Sequence, residues 1–211
     1  MASRGLIFGG LCQVDNMISK FSKSLDEKLA IVWEDLREFS KFANLAYQTK
    51  RKIDPEMFHE IMVSVAYRLL RLRFSNDLVN EVIRAGMLTF TSTIFLQWQS
   101  MRIRYSYMIS LFRNALQKLQ VSDITIPPLV LLWLLMVWGV SIPVEIDQEW
   151  YSAYLLQTIQ LTELRSWADV CTGLKSIMWI EFMHNGAGER MLGIAMARLR
   201  LSERASTTRQ T

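Results

Sequence analysis

The sequence predicts an all-α fold. Three observations carry this. Only four prolines and nine glycines occur in 211 residues, which leaves little material for a turn-rich β architecture. Apolar residues make up 51% of the chain against 21% charged, enough for a sizeable core. Those apolar residues recur at alternating three- and four-residue steps, the period of one helix face. About seven helices are expected in one domain spanning 24–201, with a poorly ordered arm over 1–23 and a polar tail over 202–211.

The first helix is expected to open at Ser24, where Ser24 and Glu27 have capping-box spacing. Leu25, Leu29, Val32, Leu36, Phe39 and Ala43 form its apolar stripe, and Lys50-Arg51-Lys52 ends it. Asp54-Pro55 marks a second start, Asp as cap and Pro in the first turn, leading through Phe58, Met62, Val65 and Leu69. Ser75-Asn76-Asp77 supplies a turn or a fresh cap before Leu78, Val82, Met87, Phe90 and Ile94. Residues 88–95 also alternate like a strand and are rich in β-branched side chains. They are read as helix, because they continue an amphipathic segment without a breaker and have no strand nearby to pair with.

A further helix is expected over Arg104–Leu119 and a loop over Val121–Pro128. Leu129–Val140 is almost wholly apolar and is expected to be the central buried helix, closed by Gly139 and Pro143. Another helix covers Asp147–Leu161. Ser166 and Asp169 form a second capping-box signature for a helix over Trp167–His184, which Asn185-Gly186 is expected to stop. A last helix follows Gly188 and fades into the tail.

The net charge of +4 is small and scattered, so nucleic-acid binding does not follow from it. Lys50-Arg51-Lys52 is the one compact basic run; a solvated loop explains it better than an import signal. Cys12 and Cys171 cannot frame a zinc site or a disulfide network, and a reducing compartment is the plainer reading. No secretory leader is expected from the glycine-broken first residues. A membrane-spanning alternative rests on 124–144, which contains no charge, but Pro127 and Pro128 confine the regular helix to core-helix length.

Catalytic motifs are not evident. His59-Glu60 lacks the second histidine of a zinc-protease helix. His184 is expected at a helix end, where a positive charge would suit the dipole. Gly186-Ala187-Gly188 is too short to cradle phosphate, and Glu145, Asp147 and Glu149 read as an acidic first turn. Cys171 reads as a buried small side chain, and the tryptophans of the second half as core more than as a ligand pocket. No catalytic, cofactor-binding or metal-ligating residue is expected.

Three stretches together resemble the fungal-specific transcription-factor domain that lies downstream of zinc-cluster DNA-binding regions. They are Glu81-Val-Ile-Arg84-Ala-Gly-Met-Leu88; Pro128 through Trp133 to Gly139; and Trp167-Ala-Asp-Val170 through Trp179-Ile-Glu-Phe-Met-His184 to Gly188. Two departures are Asn185, where the family often has an acid, and Leu192, where it often has an aromatic. The resemblance covers roughly 55–200. It implies a nuclear regulatory or protein-interaction module whose partner is a full-length zinc-cluster factor or a second copy of itself. The chain carries no six-cysteine cluster, so direct DNA binding is not expected of it. Glu81, Arg84, Trp133, Gly139, Trp167, Val170, Trp179, His184 and Gly188 are the motif positions, all with structural roles.

Overall fold

The computed structural model describes residues 4–98, 106–141, 148–162, 164 and 166–208, with side chains over a slightly narrower set. Among these it is all-helical, with nine helices: α1 (Arg4–Ser22), α2 (Glu27–Gln48), α3 (Pro55–Arg71), α4 (Leu78–Trp98), α5 (Ser106–Gln120), α6 (Pro128–Ser141), α7 (Gln148–Thr162), α8 (Trp167–Ile177) and α9 (Glu181–Thr208). Each helix expected element by element has a counterpart; α1 is the added one, and the break between the last two falls at 178–180, ahead of the expected Asn185-Gly186. The bounds expected at Arg104 and Asp147 lie outside the described residues.

The expected arm carries α1. Val14, Met17, Ile18 and Phe21 recur at helical spacing and pack on the core, with Ile18 and Phe21 buried. The glycines at its start mask that face in the sequence. The Ser24 capping box does not form. The Ser24 hydroxyl donates to the Phe21 carbonyl at 2.7 Å, and Asp26 caps α2 by accepting from the Lys28 and Leu29 amides at 3.0 and 3.3 Å. The Asp26 amide in turn donates to Asn80 Oδ1 at 3.0 Å, tying the start of α2 to the start of α4. Asp77 caps α4 by accepting from the Asn80 amide at 3.0 Å.

The end of α2 is a left-handed stop without glycine. Lys50 has φ 53°, and the Arg51 amide reaches the Ala46 carbonyl at 2.8 Å. The first residue of the basic triplet therefore terminates a helix. Asp54 and Pro55 open α3 as expected. The strand-like run is helix, and its hydroxyls are satisfied locally. Thr89, Thr91 and Ser92 each donate to the carbonyl four residues back at 2.8 Å, so a β-branched run stays buried without orphan groups.

Helix α6 is the hub. It packs on α4, α5, α7, α8 and α9, and every residue from Leu132 to Gly139 is buried. Its 14 residues span about 21 Å, short of the roughly 30 Å hydrocarbon layer. Among the described residues no helix is long and apolar enough to cross a membrane. The expected tail is also helical: α9 continues to Thr208, with no proline to interrupt it.

Candidate functional site

Motif residues of the second and third stretches meet at the buried elbow between α8 and α9. Ser166 and Asp169 form the predicted capping box at the start of α8. The helix then stops at Ile177, well short of Asn185-Gly186. Met178 is extended (φ −157°, ψ 103°), and Met178, Trp179 and Ile180 are fully buried. Asn185 and Gly186 lie inside α9, with no positive-φ glycine among the described residues.

Three non-helical residues in an apolar interior leave backbone groups that need partners. Side chains from distant helices supply them. Arg37 Nε of α2 donates to the Ser176 carbonyl at 2.9 Å. Trp133 Nε1 of α6 donates to the Met178 carbonyl at 2.7 Å. Asn44 of α2 is used twice: Nδ2 donates to the Trp179 carbonyl at 2.7 Å and Oδ1 accepts from the Glu181 amide at 2.9 Å. The Ile180 amide donates to His184 Nδ1 at 3.3 Å.

His184 is correspondingly placed otherwise than expected. It sits in the first turn of α9, fully buried between the rings of Phe90 and Trp179, whose centroids lie 5.3 and 4.9 Å away. A cation there would face both an apolar shell and the positive end of a helix dipole. Burial pushes its pKa down to about 3. With Nδ1 accepting, the ring proton lies on Nε2 and donates to Thr93 Oγ1 at 3.0 Å, while that hydroxyl donates to the Phe90 carbonyl at 2.7 Å. Both ring nitrogens are bonded: Nδ1 holds the link before α9, and Nε2 holds α9 to α4.

The remaining motif positions have packing and pairing roles. Trp179 Nε1 donates to Asn185 Oδ1 at 2.8 Å, and the Cys171 thiol donates to the same oxygen at 3.4 Å. The Cys171 thiol is free, and burial raises its pKa. Glu181 is held below the usual carboxylate range by its hydrogen bond with Lys175 Nζ at 2.6 Å. A Cβ on Gly188 would lie 2.8 Å from the Trp167 ring, 2.9 Å from the Trp179 ring and 3.1 Å from Met136, so only glycine lets these side chains close. Gly139 likewise lies against Met191 and the Tyr151 hydroxyl. Val170 is buried. Glu81 and Arg84 pair, with Nε donating at 2.9 Å, away from the elbow; Arg84 also donates to the Leu69 carbonyl at 3.4 Å, at the end of α3.

Sequence reasoning passed over Arg37 and Asn44, and read Asn185 as a helix stop and a departure from the resembled motif instead of a partly buried acceptor. The signal available for the first two was their polarity at or beside positions of an otherwise apolar stripe. His59 is exposed, near Phe95, and Glu145 and Asp147 lie outside the described residues. Among the described residues no group of three or more His, Cys, Asp or Glu is placed to hold a metal ion. The constellation can lock a tertiary arrangement; its ionisable groups are neutral, paired or fully bonded.

Compared with known proteins, the chain matches no family model, no curated sequence and no solved structure.

Proposed function

We propose that this chain is a regulatory, protein-interaction module of fungal zinc-cluster-type transcription control, acting in the nucleus through a partner factor or a second copy and not through DNA contacts of its own. The observation that supports the reading is the convergence of the second and third motif stretches on one interlocked elbow. Trp133 bonds Met178, Gly188 admits Trp167 and Trp179, and His184 joins α4 to α9.

The test is a tethered reporter. The chain fused to a heterologous DNA-binding domain should change transcription of a fungal reporter several-fold, and the free chain should not retard DNA at physiological salt. A stably expressed nuclear fusion without effect on the reporter, or salt-sensitive retardation by the free chain, would overturn the proposal.

A further inference from the structure

A groove of about 980 Å³ lies between α3, α4 and α5, remote from the elbow, and its polarity changes along its length. The register follows from the contacts. His59 of α3 meets Phe95 of α4, and Arg84 of α4 reaches the Leu69 carbonyl of α3, so these helices run antiparallel. Ser92 touches Met108, and a Cβ on Gly86 would meet Phe112, so α4 and α5 are antiparallel too. The end of α3, the start of α4 and the end of α5 therefore share one end of the groove. Arg73, Arg84 and Lys118 line that end, with Glu81. Glu81 is bound to Arg84, whereas Arg73 and Lys118 are exposed and form no ion pair among the described residues.

Leu70, Leu72 and Phe74 line that end too, and beyond it the wall carries no further charge. Ala66, Leu88 and Leu111 come first, then Met62 and Met108, then Phe95. Thr91 and Ser92 face the groove as well, but their hydroxyl protons are spent on the Met87 and Leu88 carbonyls. The stretch from Glu81 to Phe95 is about 21 Å of helix, long enough for an extended alkyl chain. The volume is at the upper end of that of small-molecule sites, which are mostly apolar with a few placed polar groups.

The geometry points to a binding site for an elongated hydrophobic carboxylic acid. Its carboxylate lies at the Arg73 and Lys118 end, and its chain runs over Leu88 and Met108 toward Phe95. One cationic end and one apolar end match a single-headed anionic amphiphile. An acidic amphipathic peptide would instead spread its charge along the whole groove. The inference does not depend on the transcriptional reading.

Dodecanoate titrated into the full chain by calorimetry tests it, with dodecanol as the uncharged comparison. Saturable one-to-one binding of dodecanoate is expected. The double variant R73Q/K118Q should weaken it about fivefold, the scale of two exposed ion pairs, and leave dodecanol unchanged. Both side chains are exposed, so this variant should keep the wild-type Tm. Ala66→Trp, which narrows the apolar wall, should weaken both ligands. Failure of dodecanoate to bind, equal affinity in wild type and double variant, or tighter binding of an acidic amphipathic peptide would each overturn the assignment.

Discussion

Replacing Asn44 by alanine is the sharpest test of the elbow. Asn44 is 8% exposed, and its amide serves the Trp179 carbonyl and the Glu181 amide. Asn44→Ala removes both partners and leaves a cavity too small to restore them. A buried group left without its hydrogen bond costs about 1–3 kcal/mol. The Trp179 carbonyl sits in a fully buried residue and bears the full penalty; the Glu181 amide lies at a partly exposed position and bears less. The expected loss is about 2–4 kcal/mol, or roughly 5–15 °C in Tm for a chain of this size. Gln48→Ala is the control, because Gln48 reaches Glu181 only at 3.5 Å on the surface and should cost under about 0.5 kcal/mol. Asn44→Asp adds a signature of direction. The introduced carboxylate still accepts from the Glu181 amide but turns a lone pair to the Trp179 carbonyl, so its pKa is raised on folding. An acid whose folded pKa is raised stabilises at low pH and loses that contribution as pH rises. The stability of Asn44→Asp relative to Asn44→Ala should therefore grow as pH falls. Chemical denaturation at several pH values measures this. If Asn44→Ala matches Gln48→Ala, the hydrogen-bonded latch plays no part in stability and the account of the elbow is wrong.

Two further outcomes follow from the same region. Gly188→Ala should destabilise by about 1–3 kcal/mol, because the new methyl meets two tryptophan rings that cannot yield. Gly193→Ala, five residues on in the same helix with nothing within 4 Å of its would-be Cβ, should stabilise by up to about 1 kcal/mol in a urea melt. For His184, burial lowers the folded pKa from 6.5 to about 3, so below pH 6.5 the unfolded chain binds the extra proton. Stability from this group is complete above about pH 6.5 and falls toward pH 3, by about 2–3 kcal/mol at pH 4.5. His184→Asn, which keeps an acceptor for the Ile180 amide, should flatten that part of the pH–stability curve.

Much of the local chemistry was legible where partners lie within a few residues. The all-helical class, the Asp54-Pro55 and Ser166–Asp169 starts, and the burial of Leu132–Gly139 follow from caps and periodicity. Such signals act through backbone groups three or four residues away, so a linear reading contains both halves of each interaction. Where the local signals were mistaken, a distant partner had decided otherwise. Ser24 lost its cap to Asp26, whose own amide is held by Asn80 from 54 residues away. Asn185-Gly186 carries a stop signal, yet the chain breaks eight residues earlier at Met178. Arg37, Asn44 and Trp133 receive the exposed backbone there, and they are separated from it in sequence by 139, 135 and 45 residues respectively.

Sequence alone determined the material: the all-helical class, which segment is apolar on every side, and which residue types recur in the motif stretches. Tertiary structure alone decided where the last long helical segment is cut, why His184 is neutral, and that α3, α4 and α5 leave a groove charged at one end. The physical reason is the range of the forces. Helix propensity and capping are contained within a turn or two of chain. The cost of an unbonded carbonyl in an apolar interior is set by whichever side chain the fold brings to it.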